Sequence, residues 1–161
     1  MKILVTGGAG FIGSHIVEEL VKRGDTVRVL DNFATGKREN LTPFAGKIEM
    51  VEGDLRDFDT VKKAVQGMEY ILHEGALPSV PRSIADPVMS NDVNVKGTLH
   101  ILVAARDEKV KRVVYASSSS IYGEAKARVK KETMPPSPLS PYATSKLAAE
   151  TYCRIFYAIY G

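Results

Sequence analysis

Lys2-Ile3-Leu4-Val5-Thr6-Gly7-Gly8-Ala9-Gly10-Phe11-Ile12-Gly13 is the stretch that decides the fold. Lys2 to Thr6 is an apolar run of strand length that stops at glycines. From Ile12 the pattern turns helical, with Ile12, Ile16, Val17, Leu20 and Val21 on one face. Gly24 ends that helix, and Thr26-Val27-Arg28-Val29-Leu30-Asp31 reads as a second strand closing on a carboxylate. Strand, glycine turn, helix, strand and acid, in that order, make the dinucleotide-binding fingerprint in its structural setting.

Each residue type has a physical reason. Gly7 permits a tight turn, Gly10 lets backbone N–H groups approach a pyrophosphate, and Gly13 lets the helix pack close to the strand. The helix N-terminus offers unpaired N–H donors to the phosphates. Asp31 is placed to accept hydrogen bonds from the adenosine ribose and to repel a 2′-phosphate, which favours NAD over NADP. Asn32 to Asn40, with Thr35 and Gly36 among them, is a polar loop of a kind that wraps the adenosine. Lys37 and Arg38 in that loop could greet a 2′-phosphate; Asp31 argues the other way.

A chain of 161 residues suits one compact domain. The net charge of +3 is small and dispersed, which argues against nucleic acid as a partner. Its densest basic run, Lys126-Ala127-Arg128-Val129-Lys130-Lys131, reads as a solvated loop face. One cysteine, Cys153, excludes an internal disulfide and fits a reducing cytoplasm; in the last helix it reads as a small core hydrophobe. No charged-then-apolar leader precedes the first strand, and no apolar run is long enough to span a bilayer. His15, His73 and His100 lack metal-ligand spacing and read as packing or surface residues, so no metal is expected.

Along the chain, Lys47 to Val51 is the third strand. In Gly53-Asp54-Leu55-Arg56-Asp57, Asp57 has the character of an N-cap for a helix through Val61, Ala64 and Val65. Asp54 has two readings, an acceptor for the adenine amino group or a turn carboxylate satisfying its own backbone. Glu69 to His73 is the fourth strand, and Gly75-Ala76-Leu77 opens a loop with room for a cofactor. Pro78 and Pro81 stiffen the segment from Ser79 to Ser83. A long helix covers about Asp86 to Asp107, with Val95, Leu99, Leu102 and Val103 as its apolar stripe. Lys111 to Ala116 is a buried fifth strand ending in Ser117, Ser118, Ser119 and Ser120. Ser140-Pro141 supplies an N-cap and a first-turn proline for a last helix reaching Tyr160. Strands alternating with helices imply an α/β fold, a doubly wound parallel sheet of the Rossmann type, with ligands beyond the carboxyl ends of the strands.

Tyr142-Ala143-Thr144-Ser145-Lys146 places a phenol and an ammonium at i and i+4 on one helix face. A free tyrosine is a poor base at neutral pH, but a nearby lysine cation and an oxidised nicotinamide favour the phenolate. Such a group can take a proton from a sugar hydroxyl while hydride leaves the carbon. A serine hydroxyl at the end of the fifth strand can share the developing charge on the same oxygen.

These motifs, together with Asp31-Asn32, Asp54-Leu55, Asn94-Val95-Lys96-Gly97-Thr98 and Ser117 to Gly123, resemble the extended short-chain dehydrogenase/reductase family, and within it the UDP-hexose 4-epimerases. The resemblance implies Ser118, Tyr142 and Lys146 as catalytic residues. It implies cofactor contacts from the glycine turn with Phe11 and Ile12, from Asp31, Asn32, Asp54, Leu55, Ala76 and Asn94, and by extension from Gly75, Leu77 and Ser117. Ser79, Ser118, Ser119, Ser120 and Tyr142 would meet a UDP-sugar. Nucleotide-sugar dehydratases of the family carry acidic residues where this chain has Ser119 and Ser120, so epimerisation is favoured over dehydration. The serine cluster and Ser79 also resemble epimerases that accept N-acetylated sugars. Other NAD-dependent reductases or dehydratases of the family, and a non-catalytic NAD-binding module, stay open as alternatives. Family members continue for roughly as many residues again, so the chain is expected to be an N-terminal half without the C-terminal substrate domain. Tyr152, Ile155, Phe156 and Ile159 give the last helix surplus apolar surface. The resemblance implies a homodimer through the helices around 86–107 and 142–160; the alternative is a core face plus a surface left bare.

Overall fold

The computed structural model describes residues 1–124 and 129–161, so Lys126 and Arg128 of the basic run lie outside the described residues. Of that run, Lys130 reaches back to donate to the Ser119 carbonyl at 3.1 Å. Among the described residues five strands, β1 (Lys2–Thr6), β2 (Thr26–Asp31), β3 (Ile48–Glu52), β4 (Tyr70–His73) and β5 (Arg112–Tyr115), form one parallel sheet. Their order is β3-β2-β1-β4-β5, with Thr6 opposite Leu30 on one side and His73 on the other. The helices are α1 (Phe11–Lys22), α2 (Phe58–Val65), α3 (Val80–Ala85), α4 (Pro87–Asn91), α5 (Gly97–Asp107) and α6 (Pro141–Tyr160).

Side chains alternate across β1, and this divides the core in two. Ile3 and Val5 pack with Val27, Val29 and the α1 residues Val17 and Leu20. Leu4 faces the opposite way, with Leu30, Ile71, the α2 residues Val61 and Val65, and Ile101 of α5. A sheet covered on both faces accounts for the near-continuous apolar runs of β1 and β2. The caps form as the sequence requires: Asp57 accepts from the Asp59 and Thr60 N–H groups, and Ser140 accepts from the Ala143 N–H.

Several local expectations are corrected. The fifth strand is not buried; Arg112 is exposed and Val114 is 49% exposed. β5 lies at a sheet edge, and no neighbour among the described residues covers its outer side. The long helix carries a π-helical turn at Asp92–Lys96 between α4 and α5. That wider turn shifts the helical phase. The buried face becomes Asn94, Gly97, Thr98, Ile101, Ala104 and Ala105, while Val95, Leu99 and Val103 are only half-buried and Leu102 alone keeps its expected place. Ile12 leaves the α1 core face and, with Phe11, stands exposed at the helix start. The Ser79 to Ser83 segment contributes to a short helix, α3, whose cap Ser79 has a φ of 112°.

Candidate active site

The strand order runs one way from β1 to β3 and the other way through β4 to β5. Ligands of open α/β sheets bind beyond the strands at such a switch point. A cleft of about 430 Å³ opens there, floored by the glycine turn. Gly7 has a φ of +68°, and a Cβ on it would sit 2.8 Å from Gly75 Cα. A Cβ on Gly13 would collide with the Gly7 carbonyl oxygen. α1 begins at Phe11, its N-cap Gly10 supplies no side-chain cap, and no acid stands in its first turn, so its N–H donors are left to the cleft. These features fit a dinucleotide pyrophosphate.

One end of the cleft is lined by Asp31, Asn32, Thr35 and Gly36. Asp31 Oδ2 accepts from the Ala9 N–H at 2.9 Å and Oδ1 from the Phe33 N–H at 2.8 Å, so the acid also braces the glycine turn against β2. Each oxygen keeps acceptor capacity for ribose hydroxyls. Arg38 stacks on Phe33 and pairs with Glu52 at 2.6 Å, and neither Lys37 nor Arg38 lines the cleft. Asp54 and Leu55 do line it. The Asp54 carboxylate accepts from the Arg56 backbone N–H, the Arg56 guanidinium and Asn32 Nδ2. Those bonds, the guanidinium's foremost, hold it down at about 2 despite partial burial. The turn reading of Asp54 therefore describes this geometry, with its acceptor positions already engaged.

At the other end Gly75, Ala76, Ser117, Tyr142 and Lys146 line the cleft, joined by Glu74, which the sequence reading passed over. Ser140 and Pro141 start α6 so that Tyr142 and Lys146 stand one turn apart on this wall. Lys146 is 3% exposed, with Nζ 4.3 Å from the Tyr115 ring centroid. Burial pushes the ammonium down to about 8, and Glu74 opposes that shift. Burial pushes the half-buried Glu74 carboxyl up, with Lys146 opposing. Tyr115 is raised far above the ordinary tyrosine range by burial and stays a phenol. Glu74 sits at the carboxyl end of β4, and that position was its only signal in the sequence.

Other expected site residues are turned elsewhere. Ser118, Ser119, Ser120 and Ser79 do not line the cleft. Ser118 Oγ caps the 3₁₀ turn Ser119–Tyr122 by accepting from the Ser120 N–H, and lies 2.8 Å from Ser120 Oγ. Ser79 Oγ caps α3 through the Arg82 N–H. Short hydroxyl side chains in tight turns find backbone partners first. Asn94 is 1% exposed and, like Leu77, lies off the cleft wall. Its amide accepts from the Leu77 N–H at 2.7 Å and donates to Ser145 Oγ at 3.0 Å, so it holds the loop to α6.

Cys153 is half-buried, pushed up to about 11 by burial, and belongs to a separate groove of about 440 Å³ between β5 and the end of α6. That groove lies away from the glycine turn and the Tyr142 wall. Among the described residues no group of three or more His, Cys, Asp or Glu could hold a metal ion, and no helix is long and apolar enough to cross a membrane.

Comparison with known proteins agrees with this geometry. A family model described as the NAD dependent epimerase/dehydratase family matches residues 3–161. UDP-glucose 4-epimerase of Mycolicibacterium smegmatis is 42% identical over 164 residues, spanning 99% of this chain and 52% of the relative. The crystal structure of Thermus thermophilus UDP-glucose 4-epimerase with NAD superposes with a TM-score of 0.93 at 47% identity, covering 100% of this chain and 52% of that one. DesIV, a dTDP-glucose 4,6-dehydratase from Streptomyces venezuelae solved with NAD and TYD, superposes with a TM-score of 0.94 at 38% identity over 100% of this chain and 53% of its own. The chain thus spans about half the length of the relatives it matches.

Proposed function

The chain belongs to the NAD dependent epimerase/dehydratase family, and from that premise we propose that it is the cofactor-binding and catalytic half of an NAD-dependent nucleotide-sugar 4-epimerase. The observation that carries this reading is the pair on α6. Tyr142 and the buried Lys146 stand on the wall of the cleft that the glycine turn opens.

Bound NAD supplies a hydride acceptor that can also return the hydride. The chain's own residues do the rest. The α1 N-terminus holds the pyrophosphate, and Asp31 bonds the adenosine ribose and disfavours a 2′-phosphate. Tyr142 takes the proton from the C4 hydroxyl of the sugar and later gives it back. The Lys146 ammonium, one turn away in a site of low exposure, favours the negative charge that Tyr142 carries in that exchange. Ser118, on turning from Ser120 towards the cleft, donates to the same substrate oxygen. No net oxidation results when hydride returns to the other face of C4.

A dehydratase is the second reading, supported by the similarity to DesIV. It needs an acid/base pair beside the catalytic hydroxyl, and Ser119 and Ser120 offer no carboxyl there. Tyr142 and Lys146 speak against a module that only binds NAD. We further propose a cytoplasmic protein whose remaining length supplies the substrate domain. Ile155, Tyr157 and Ile159, exposed along α6, suit pairing with a second copy through the helices around 86–107 and 142–160. The test is interconversion of UDP-glucose and UDP-galactose, and of the N-acetylated pair, by a full-length version without added reductant. Conversion in both directions supports the reading. A dehydrated keto sugar as product supports the dehydratase instead, and retained NAD without turnover supports the binding module.

A further inference from the structure

Beneath the cleft a continuous line of buried polar groups joins β1 to α6. The Gly75 N–H donates to Thr6 Oγ1 at 3.0 Å, and Thr6 Oγ1 lies 2.6 Å from His73 Nδ1. His73 Nε2 lies 3.0 Å from Thr98 Oγ1, and the Thr98 hydroxyl donates to the Asn94 carbonyl at 2.6 Å. The Asn94 amide binds Leu77 and donates to Ser145 Oγ, and the Ser145 hydroxyl donates to the Tyr142 carbonyl at 2.8 Å. Thr6, His73, Asn94, Thr98 and Ser145 are all buried.

The hydrogens of this line run in one direction only. Thr98 gives its single hydroxyl hydrogen to Asn94, so towards the imidazole it can only accept, and the ring hydrogen must sit on Nε2. Nδ1 is then the acceptor for the Thr6 hydroxyl, and the Thr6 oxygen is left to accept from Gly75. Every member has a partner, the condition under which a buried polar network fixes one arrangement. A second ring proton would leave the Thr6 hydroxyl hydrogen without its acceptor. The Lys146 cation also opposes that proton. The ring's neighbours are Thr6 on β1, Thr98 on α5, the Tyr115 ring on β5 at 5.7 Å, and the Lys146 cation on α6. Burial first, and Lys146 second, hold the imidazole down at about 3.

We propose that His73, fixed as its Nε2–H tautomer, is a positioning residue that ties the strand ending in the glycine turn to the helix bearing Tyr142 and Lys146. The inference rests on the cofactor and proton-transfer roles proposed above for those two elements. Through Gly75, Leu77 and the Tyr142 carbonyl, one network sets three parts of the site in register.

The experiment is nitrogen-15 NMR of the 161-residue chain together with NAD titration of Thr98→Val and Thr98→Ser. In the wild type His73 should show a protonated Nε2 and a bare Nδ1 from pH 8 to pH 5. Thr98→Val should shift the Tyr142 and Lys146 amide signals and weaken NAD by about tenfold, the scale of one buried hydrogen bond. Thr98→Ser should restore both. An Nδ1–H tautomer, or ordinary titration of His73, overturns the proposal in the wild type alone. So does a Thr98→Val chain with unchanged helix signals, or a loss that Thr98→Ser does not rescue. A wild type that binds no NAD counts against the cofactor reading, while the tautomer and the helix signals still decide this one.

Discussion

Acidification should destabilise this fold through His73, and the size of the effect follows from burial. The ring titrates at 6.5 in the open chain and is held at about 3 when folded. A folded value below the unfolded one means that the unfolded chain binds the extra proton. Stability from this source is therefore complete above about pH 6.5 and is lost as the pH falls towards 3. Each pH unit in that window is worth about 1.4 kcal/mol, so lowering the pH from 7 to 4 should cost about 3 kcal/mol. Domains of this kind are stable by only about 5–15 kcal/mol, so the loss is large. Asp54, held near 2 by Arg56, adds to it mainly at the acid end, whereas the raised Glu74 carboxyl acts in the opposite sense. Urea unfolding at stepped pH values, on the wild type and on His73→Gln, separates these contributions. Between pH 6 and 4.5 the wild-type slope should exceed that of the variant by about 1.4 kcal/mol per pH unit, one proton's worth. Equal slopes would refute the reasoning, because His73 would then take up its proton in the folded state.

Further outcomes follow from the cleft. Tyr142→Phe in a full-length version should keep NAD binding and lose about 10²–10⁴ in turnover, since only the proton-transfer group is removed; near wild-type rates in a steady-state assay would assign the proton to another residue. Asp31→Ala should weaken NAD and narrow the gap to NADP in calorimetric titrations, because the ribose acceptor and the brace to Ala9 and Phe33 go together. Tighter binding of NADP than NAD by the wild type would sink that claim. Gly13→Val should abolish NAD binding while the sheet persists in circular dichroism, since any Cβ there meets the Gly7 carbonyl; an unchanged Kd would contradict the packing.

The β-α-β unit and its glycine turn were legible because their determinants are local. Glycine spacing, helical periodicity and a strand-terminal acid lie within Lys2 to Asp31. The Asp57 and Ser140 caps were legible for the same reason. What escaped depends on non-local partners. Val114 has the apolar character of a buried strand residue, yet it stands 49% exposed on a strand at the sheet edge. The stripe of the long helix was misphased by a π turn that its residues do not announce. Asp54 kept two readings because spacing alone does not show that the Arg56 guanidinium, two residues on, folds back onto its carboxylate. Asn94 and His73 are polar residues whose neighbours come from distant strands and helices, so their roles could be read only from the folded chain.

The most direct test of transient oxidation at C4 is to give a full-length version UDP-glucose carrying deuterium at C4. Hydride that leaves and returns within one closed site should leave the deuterium on C4 of the UDP-galactose formed, with none released to water. Loss of deuterium to solvent, or its arrival at another sugar carbon, would contradict the epimerase mechanism built on Tyr142, Lys146 and the dinucleotide cleft.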